Sequence, residues 1–67
     1  MTKEDYIKTL ETLKAEALKS PNMNTTQPNK VACIVAVGHM RDELTKAYGK
    51  IPMEALYAMR DFMADNK

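Results

Sequence analysis

The sequence has little that could stabilise a small protein covalently. Its 67 residues include one cysteine, two glycines and no tryptophan. The single cysteine, Cys33, excludes an intrachain disulfide, and the chain has no set of cysteines and histidines with the spacing of a zinc site. A chain of this length buries only about 60% of the surface that its unfolded form exposes. A partner subunit is the remaining means of stabilisation, so we expect one domain over residues 1–67 that self-associates.

An excess of either charge is also absent. Ten lysine and arginine residues oppose nine aspartate and glutamate residues, for a formal net charge of +1. Binding to nucleic acid through bulk electrostatics requires a clear basic excess, so this class of partner is disfavoured. The longest apolar run, residues 31–37, is far shorter than the roughly 18 residues that span a membrane. Because the first residues also lack the apolar region of a secretion signal, we expect a cytoplasmic protein without membrane association.

The first segment with a helical period covers about residues 3–19. Its apolar residues recur at intervals of three and four, as on a helix with one buried side. They are Tyr6, Leu10, Leu13 and Ala17. Thr2 precedes the segment, and Asp5 comes three residues after Thr2, a pattern close to a capping box. Residues 20–27 carry no charge and are rich in proline, asparagine and threonine, which predicts a loop.

Residues 31–37 fit either a buried strand or part of a helix, because β-branched residues dominate them. A second strand candidate is missing, and a lone strand would leave its backbone groups unpaired. A helix over about residues 28–48 instead forms one continuous apolar side. That side consists of Cys33, Val37, Met40, Leu44 and Tyr48. Pro28 suits the first position of this helix and Gly49 its C-terminal cap, so we predict the helix.

A third helix is predicted over about residues 52–65, with Pro52 at its start. Its apolar residues fall within a third of the helical circumference. They are Ala55, Leu56, Met59, Phe62 and Met63. Three acidic residues gather on the opposite side, namely Glu54, Asp61 and Asp65. The sequence therefore predicts an all-α fold, a three-helix bundle completed by self-association.

The first half of the predicted second helix carries an additional apolar surface, which we call the α2 ridge. It consists of Val31, Ile34, Val35 and Gly38. Two neighbouring helices are too few to bury a helix that is apolar on two sides, so we expect the ridge to contact a second copy of the chain. Gly38 would allow the two backbones to approach closely. The alternative is that the loop folds back over the ridge through Met23.

Few residues could support catalysis. His39 and Glu43 lie four residues apart on one helical side, but two ligands do not form a metal site. Cys33 falls on the predicted buried side, where a thiol packs rather than reacts. The chain has neither a glycine-rich phosphate loop nor a set of nucleophile, base and orienting group. We expect no catalytic activity, no metal and no cofactor.

These features predict a small non-catalytic regulator or inhibitor that binds another protein through a helical surface, as a homodimer. Its size is typical of regulators encoded by phages and other mobile elements. The candidate partner-binding residues combine a flexible exposed methionine, which adapts to a partner, with carboxylates that steer a basic one. They are Met53, Glu54, Asp61 and Asp65.

The alternative function is a helix-turn-helix-like regulator that binds nucleic acid, because a short segment joins the second and third helices. The basic residues available for phosphate contacts are Lys30, Arg41, Lys46 and Lys50. The third helix would have to read the bases, yet its predicted exposed side is acidic. We therefore regard nucleic acid as the less favoured partner.

Overall fold

The computed structural model describes residues 1–66, which form three helices and contain no strand. Helix α1 covers Lys3–Leu18, α2 covers Pro28–Tyr48 and α3 covers Met53–Asp65. The predicted all-α fold is confirmed. Two boundaries differ by one residue, because Lys19 is the C-cap of α1 and Pro52 is the N-cap of α3.

Side-chain hydrogen bonds fix the start of α1. Thr2 Oγ1 accepts from the Asp5 N–H at 3.3 Å, and Asp5 Oδ2 accepts from the Thr2 N–H at 3.0 Å. This reciprocal pair is a complete capping box, which satisfies donors that the first turn of a helix leaves unpaired. Because the Thr2 N–H donates to the Asp5 carboxylate, the pKa of Asp5 is held below its usual range.

Helix α2 includes residues 31–37, so the strand alternative is wrong. Hydrogen bonds within the helix satisfy the backbone of this β-branched run without a partner strand. Pro28 occupies the first turn, and Gln27 is the N-cap but makes no side-chain cap bond. Gly49 ends the helix with φ 73°, a left-handed conformation that glycine adopts without strain.

Helix α1 packs against both other helices, whereas α2 and α3 share few contacts. We call the two contact zones the α1–α2 seam and the α1–α3 seam. The core draws on all three helices and is built from large, small and flexible side chains that fill the space between them. It consists of Tyr6, Leu10, Cys33, Ala36, Met40, Ala55, Ala58, Met59 and Phe62. The predicted packing role of Cys33 is confirmed, since its side chain is buried.

Polar side chains bridge the α1–α3 seam near both ends of α1. Lys3 Nζ lies 2.5 Å from Asp61 Oδ2, and Lys14 Nζ donates to Asn66 Oδ1 at 2.6 Å. The contact with Lys3 lowers the pKa of the Asp61 carboxyl and raises the pKa of the Lys3 amine, because each charge stabilises the other.

Three residues predicted on buried sides are exposed, namely Tyr48, Leu56 and Met63. Tyr48 is 64% exposed because it lies one turn beyond Leu44, where the end of the α1–α2 seam is lined by Met1. On α3 the buried side is centred on Ala55, Ala58, Met59 and Phe62. Leu56 and Met63 therefore lie at the edge of the α1–α3 packing rather than in it. Ala58, absent from the predicted apolar side, is fully buried.

Candidate protein-binding surfaces

The α2 ridge lies on the side of α2 that faces away from the core. Ile34 is 53% exposed and Val35 is 48% exposed, while Val31 is half-buried. Gly38 is exposed, and a Cβ atom built there would meet nothing within 4 Å. The loop therefore does not cover the ridge, and the folded chain leaves apolar side chains of α2 in contact with solvent.

The predicted partner-binding residues of α3 differ in their availability. Met53 is 62% exposed, and Glu54 and Asp65 are also exposed. Asp61 is half-buried and paired with Lys3, and its Oδ1 lies 3.4 Å from Arg60 Nε. The structure thus places Asp61 in a structural contact as well as on the acidic side of the helix.

The outer side of α3 is more apolar than the sequence reasoning predicted. Leu56 and Tyr57 lie one turn beyond Met53, and both are exposed. The Arg60 guanidinium carbon lies 5.2 Å from the centroid of the Tyr57 ring, within the range of a cation–π contact. The spacing of residues 53, 56, 57 and 60 could have revealed this surface, since it is the helical period itself.

A recess of about 220 Å³ opens along the α1–α2 seam. Leu13 and Tyr6 from α1 and Met40 and Leu44 from α2 form its apolar part. A second recess of about 250 Å³ continues the first along the same seam as far as Ala17 and Val35. Since Tyr6 lies opposite Leu44 at one end and Ala17 opposite Val35 at the other, the two helices are antiparallel.

The recess gives His39 and Glu43 a setting that sequence reasoning missed. Both are exposed side chains of α2, and both line the recess together with Thr9 of α1. Nothing in the sequence signals this, because the recess exists only where two helices meet. Residues 1–66 contain no group of three or more His, Cys, Asp or Glu side chains that could hold a metal ion.

The basic residues of the nucleic-acid alternative are all exposed but spread out. Lys30 lies in the first turn of α2 and Lys50 lies beyond its end. Because a helix rises about 1.5 Å per residue, these two residues are separated by roughly the length of α2, about 30 Å. In α3, the one basic residue is Arg60, which already contacts Asp61 and Tyr57. The structure does not gather these side chains into one patch.

No helix within residues 1–66 combines the length and the apolar character that crossing a membrane requires. Comparisons of the chain with protein-family models, with curated proteins and with solved structures give no match.

Proposed function

We propose that the chain is a small non-catalytic regulator or inhibitor that binds another protein through its helical surface and acts as a homodimer. The observation that supports this function is the exposure of Ile34 and Val35 on the side of α2 opposite the core. Apolar side chains that remain exposed together on a small protein indicate a contact with another molecule.

The α2 ridge suits a symmetric contact between two copies. Ile34 and Val35 provide apolar side chains, and Gly38 provides a place without a side chain one turn later. In a two-fold interface each copy presents the same surface, so a large residue of one copy can pack at the glycine of the other. The dimer would add to the small core the apolar burial that a chain of this length lacks.

Substituting Val35→Glu tests the dimer. We expect the wild type to scatter light as a dimer at micromolar concentration and the variant as a monomer, because the interface would bury two unpaired carboxylates. Glutamate has a higher helix propensity than valine, and the position is half-exposed, so circular dichroism should show that the helices remain.

Leu56→Glu is the matched control, because Leu56 is 44% exposed and lies on α3 instead of α2. The dimer should survive this change. A monomeric wild type would refute the homodimer, and dissociation caused by Leu56→Glu alone would place the interface on α3.

Salt dependence separates the proposed function from nucleic-acid binding. An apolar protein contact should change little between low and moderate salt, whereas binding to duplex DNA falls steeply. Tight binding of a random-sequence duplex that weakens with salt, and that is lost in Lys30→Ala and Arg41→Ala, would favour the nucleic-acid alternative.

A further inference from the structure

We propose that the recess in the α1–α2 seam is an anchor pocket for one large apolar side chain of a partner protein, next to which the partner carries lysine or arginine. This inference rests on the proposed protein-binding function and specifies the chemistry of the partner. It concerns the α1–α2 seam, which borders the α2 ridge at Val35, and not the acidic side of α3.

The size of the recess fits a single side chain. Pockets for drug-sized molecules measure about 300–1,000 Å³, and a cavity of about 150 Å³ holds benzene. At about 220 Å³, the recess lies between these values, which suits an aromatic ring or a branched aliphatic group. Partner side chains that fill such pockets at the centre of an interface contribute most of the binding energy.

Tyr6 provides a polar group at this apolar site. Its side chain is only 5% exposed and lines the recess, yet its hydroxyl has no hydrogen-bond partner among residues 1–66. No buried side-chain oxygen of the described residues is left without a partner, so this hydroxyl keeps some contact with solvent. A tyrosine hydroxyl in contact with solvent bonds to water, and an indole N–H entering the recess would replace that water as its partner.

The charges around the recess favour a basic partner. Glu43 lines the recess and Glu16 lines its continuation, and neither forms an ion pair with another residue of the described chain. His39 lies between them and lines both recesses. No lysine or arginine lines either recess, and Met1 stands at one end. Lysine or arginine beside the anchor would therefore meet unpaired carboxylates.

Three tripeptides with blocked ends test the pocket by ¹H–¹⁵N correlation spectra of the full chain at millimolar peptide. Lys-Trp-Lys has the anchor and the charge, Lys-Ala-Lys has the charge alone, and Glu-Trp-Glu has the anchor with the opposite charge. We expect Lys-Trp-Lys to shift the signals of Tyr6, Leu13, His39 and Leu44. The other two peptides should bind at least about fivefold more weakly, since the anchor and the charge each contribute.

Two variants assign these effects to residues. Glu43→Gln should reduce the preference for Lys-Trp-Lys over Glu-Trp-Glu by about threefold, whereas Glu11→Gln, the same change at an exposed glutamate of α1 that lines neither recess, should leave it unchanged. Tyr6→Phe should weaken Lys-Trp-Lys by about two- to fivefold without lowering stability, because the hydroxyl has no partner within the described chain to lose.

Several results would overturn the proposal. They are an absence of shifts at the recess, equal binding of Lys-Ala-Lys, equal binding of Glu-Trp-Glu, or a preference that depends on Glu11 instead of Glu43. Shifts at the recess that follow protein concentration without peptide would show that a second copy occupies it, which also contradicts the stated partner. None of these readouts depends on Val35, so failure of the homodimer and failure of the anchor pocket are distinguishable.

Discussion

Across its seam with α3, α1 is tied by polar side chains near both ends, through the pairs Lys3–Asp61 and Lys14–Asn66. Across its seam with α2, no side-chain hydrogen bond or ion pair joins the two helices within residues 1–66. Apolar packing of residues such as Leu13 and Met40 holds that seam, and its edge opens into two recesses. One seam therefore uses its charged groups internally, whereas the other leaves them available to a partner.

The two seams differ more in whether their charged groups are available to a partner than in how much each seam contributes to stability. Ion pairs as exposed as Lys3–Asp61 contribute little to stability, because water and salt screen them and the side chains lose entropy. Burial of apolar surface stabilises both seams, at about 25 cal/mol per Å². The polar pairs instead fix how α3 sits against α1. A seam without such pairs can accept new contacts at its edge without losing old ones.

The largest effect is expected where both seams depend on one residue. Leu10 of α1 is fully buried in the core that all three helices share. We expect Leu10→Ala to lower the free energy of unfolding by about 2–5 kcal/mol, through lost burial and a cavity. A chain of this length has in total only about 3–10 kcal/mol, so urea denaturation should show the variant largely destabilised.

Leu18→Ala is the control for this prediction, because Leu18 is on the same helix but is 38% exposed. Its cost should stay below about 1 kcal/mol. If the two variants were equally destabilised, the shared core would not be centred on Leu10.

An intermediate effect on stability is expected at the Lys3–Asp61 ion pair of the α1–α3 seam. Since Lys3 lowers the pKa of Asp61 in the folded chain, the carboxylate stabilises the fold above its unfolded pKa, and this contribution is lost as pH falls through the folded pKa. Asp61→Asn should therefore reduce the acid-induced part of the stability loss. The raised pKa of Lys3 has the opposite sign, so its contribution is lost only as pH rises through the alkaline range, and Asp61→Asn should remove that loss too.

Urea midpoints measured from about pH 2 to pH 7, and again in the alkaline range, would check both the acid-induced and the alkaline loss of stability. Asp65→Asn is the matched control, because Asp65 is exposed and forms no ion pair with the described residues. Identical pH profiles for the two variants would contradict the assignment. Part of the stability loss at low pH should remain in Asp61→Asn, because Asp5 also has a lowered pKa.

The sequence predicted the helices because their signals are local. Apolar spacing identifies α1, and Pro28 and Gly49 mark the two ends of α2. The apolar residues on the second side of α2 correctly predicted the position of the exposed ridge. Ile34 and Val35 are both about half exposed, and Val35 also lines the edge of the α1–α2 seam.

Features that depend on how two helices meet were not predicted. Periodicity places Tyr48 on the same side as Met40. It does not say that the first turn of α1 lies beside Leu44 and does not extend as far as Tyr48. The same limitation applies to Leu56, whose exposure depends on how closely Ala55 and Ala58 let α3 approach α1. The pairing of Asp61 with Lys3 and the recess beside Tyr6 are likewise properties of a seam, so no single segment encodes them.

The smallest effect is expected at the open edge of the α1–α2 seam. His39 and Glu43 are exposed and make no hydrogen bond or ion pair with the described residues. His39→Gln and Glu43→Gln should therefore each change the free energy of unfolding by less than about 0.5 kcal/mol, as measured by urea denaturation near neutral pH. A larger loss in either variant would mean that this edge helps to hold α1 on α2. If Glu43→Gln instead left the stability unchanged and altered the peptide preference, Glu43 would contribute to binding and not to folding. That result is expected for the α1–α2 seam, whose charged groups are unpaired, and not for the α1–α3 seam, where Asp61 is paired with Lys3.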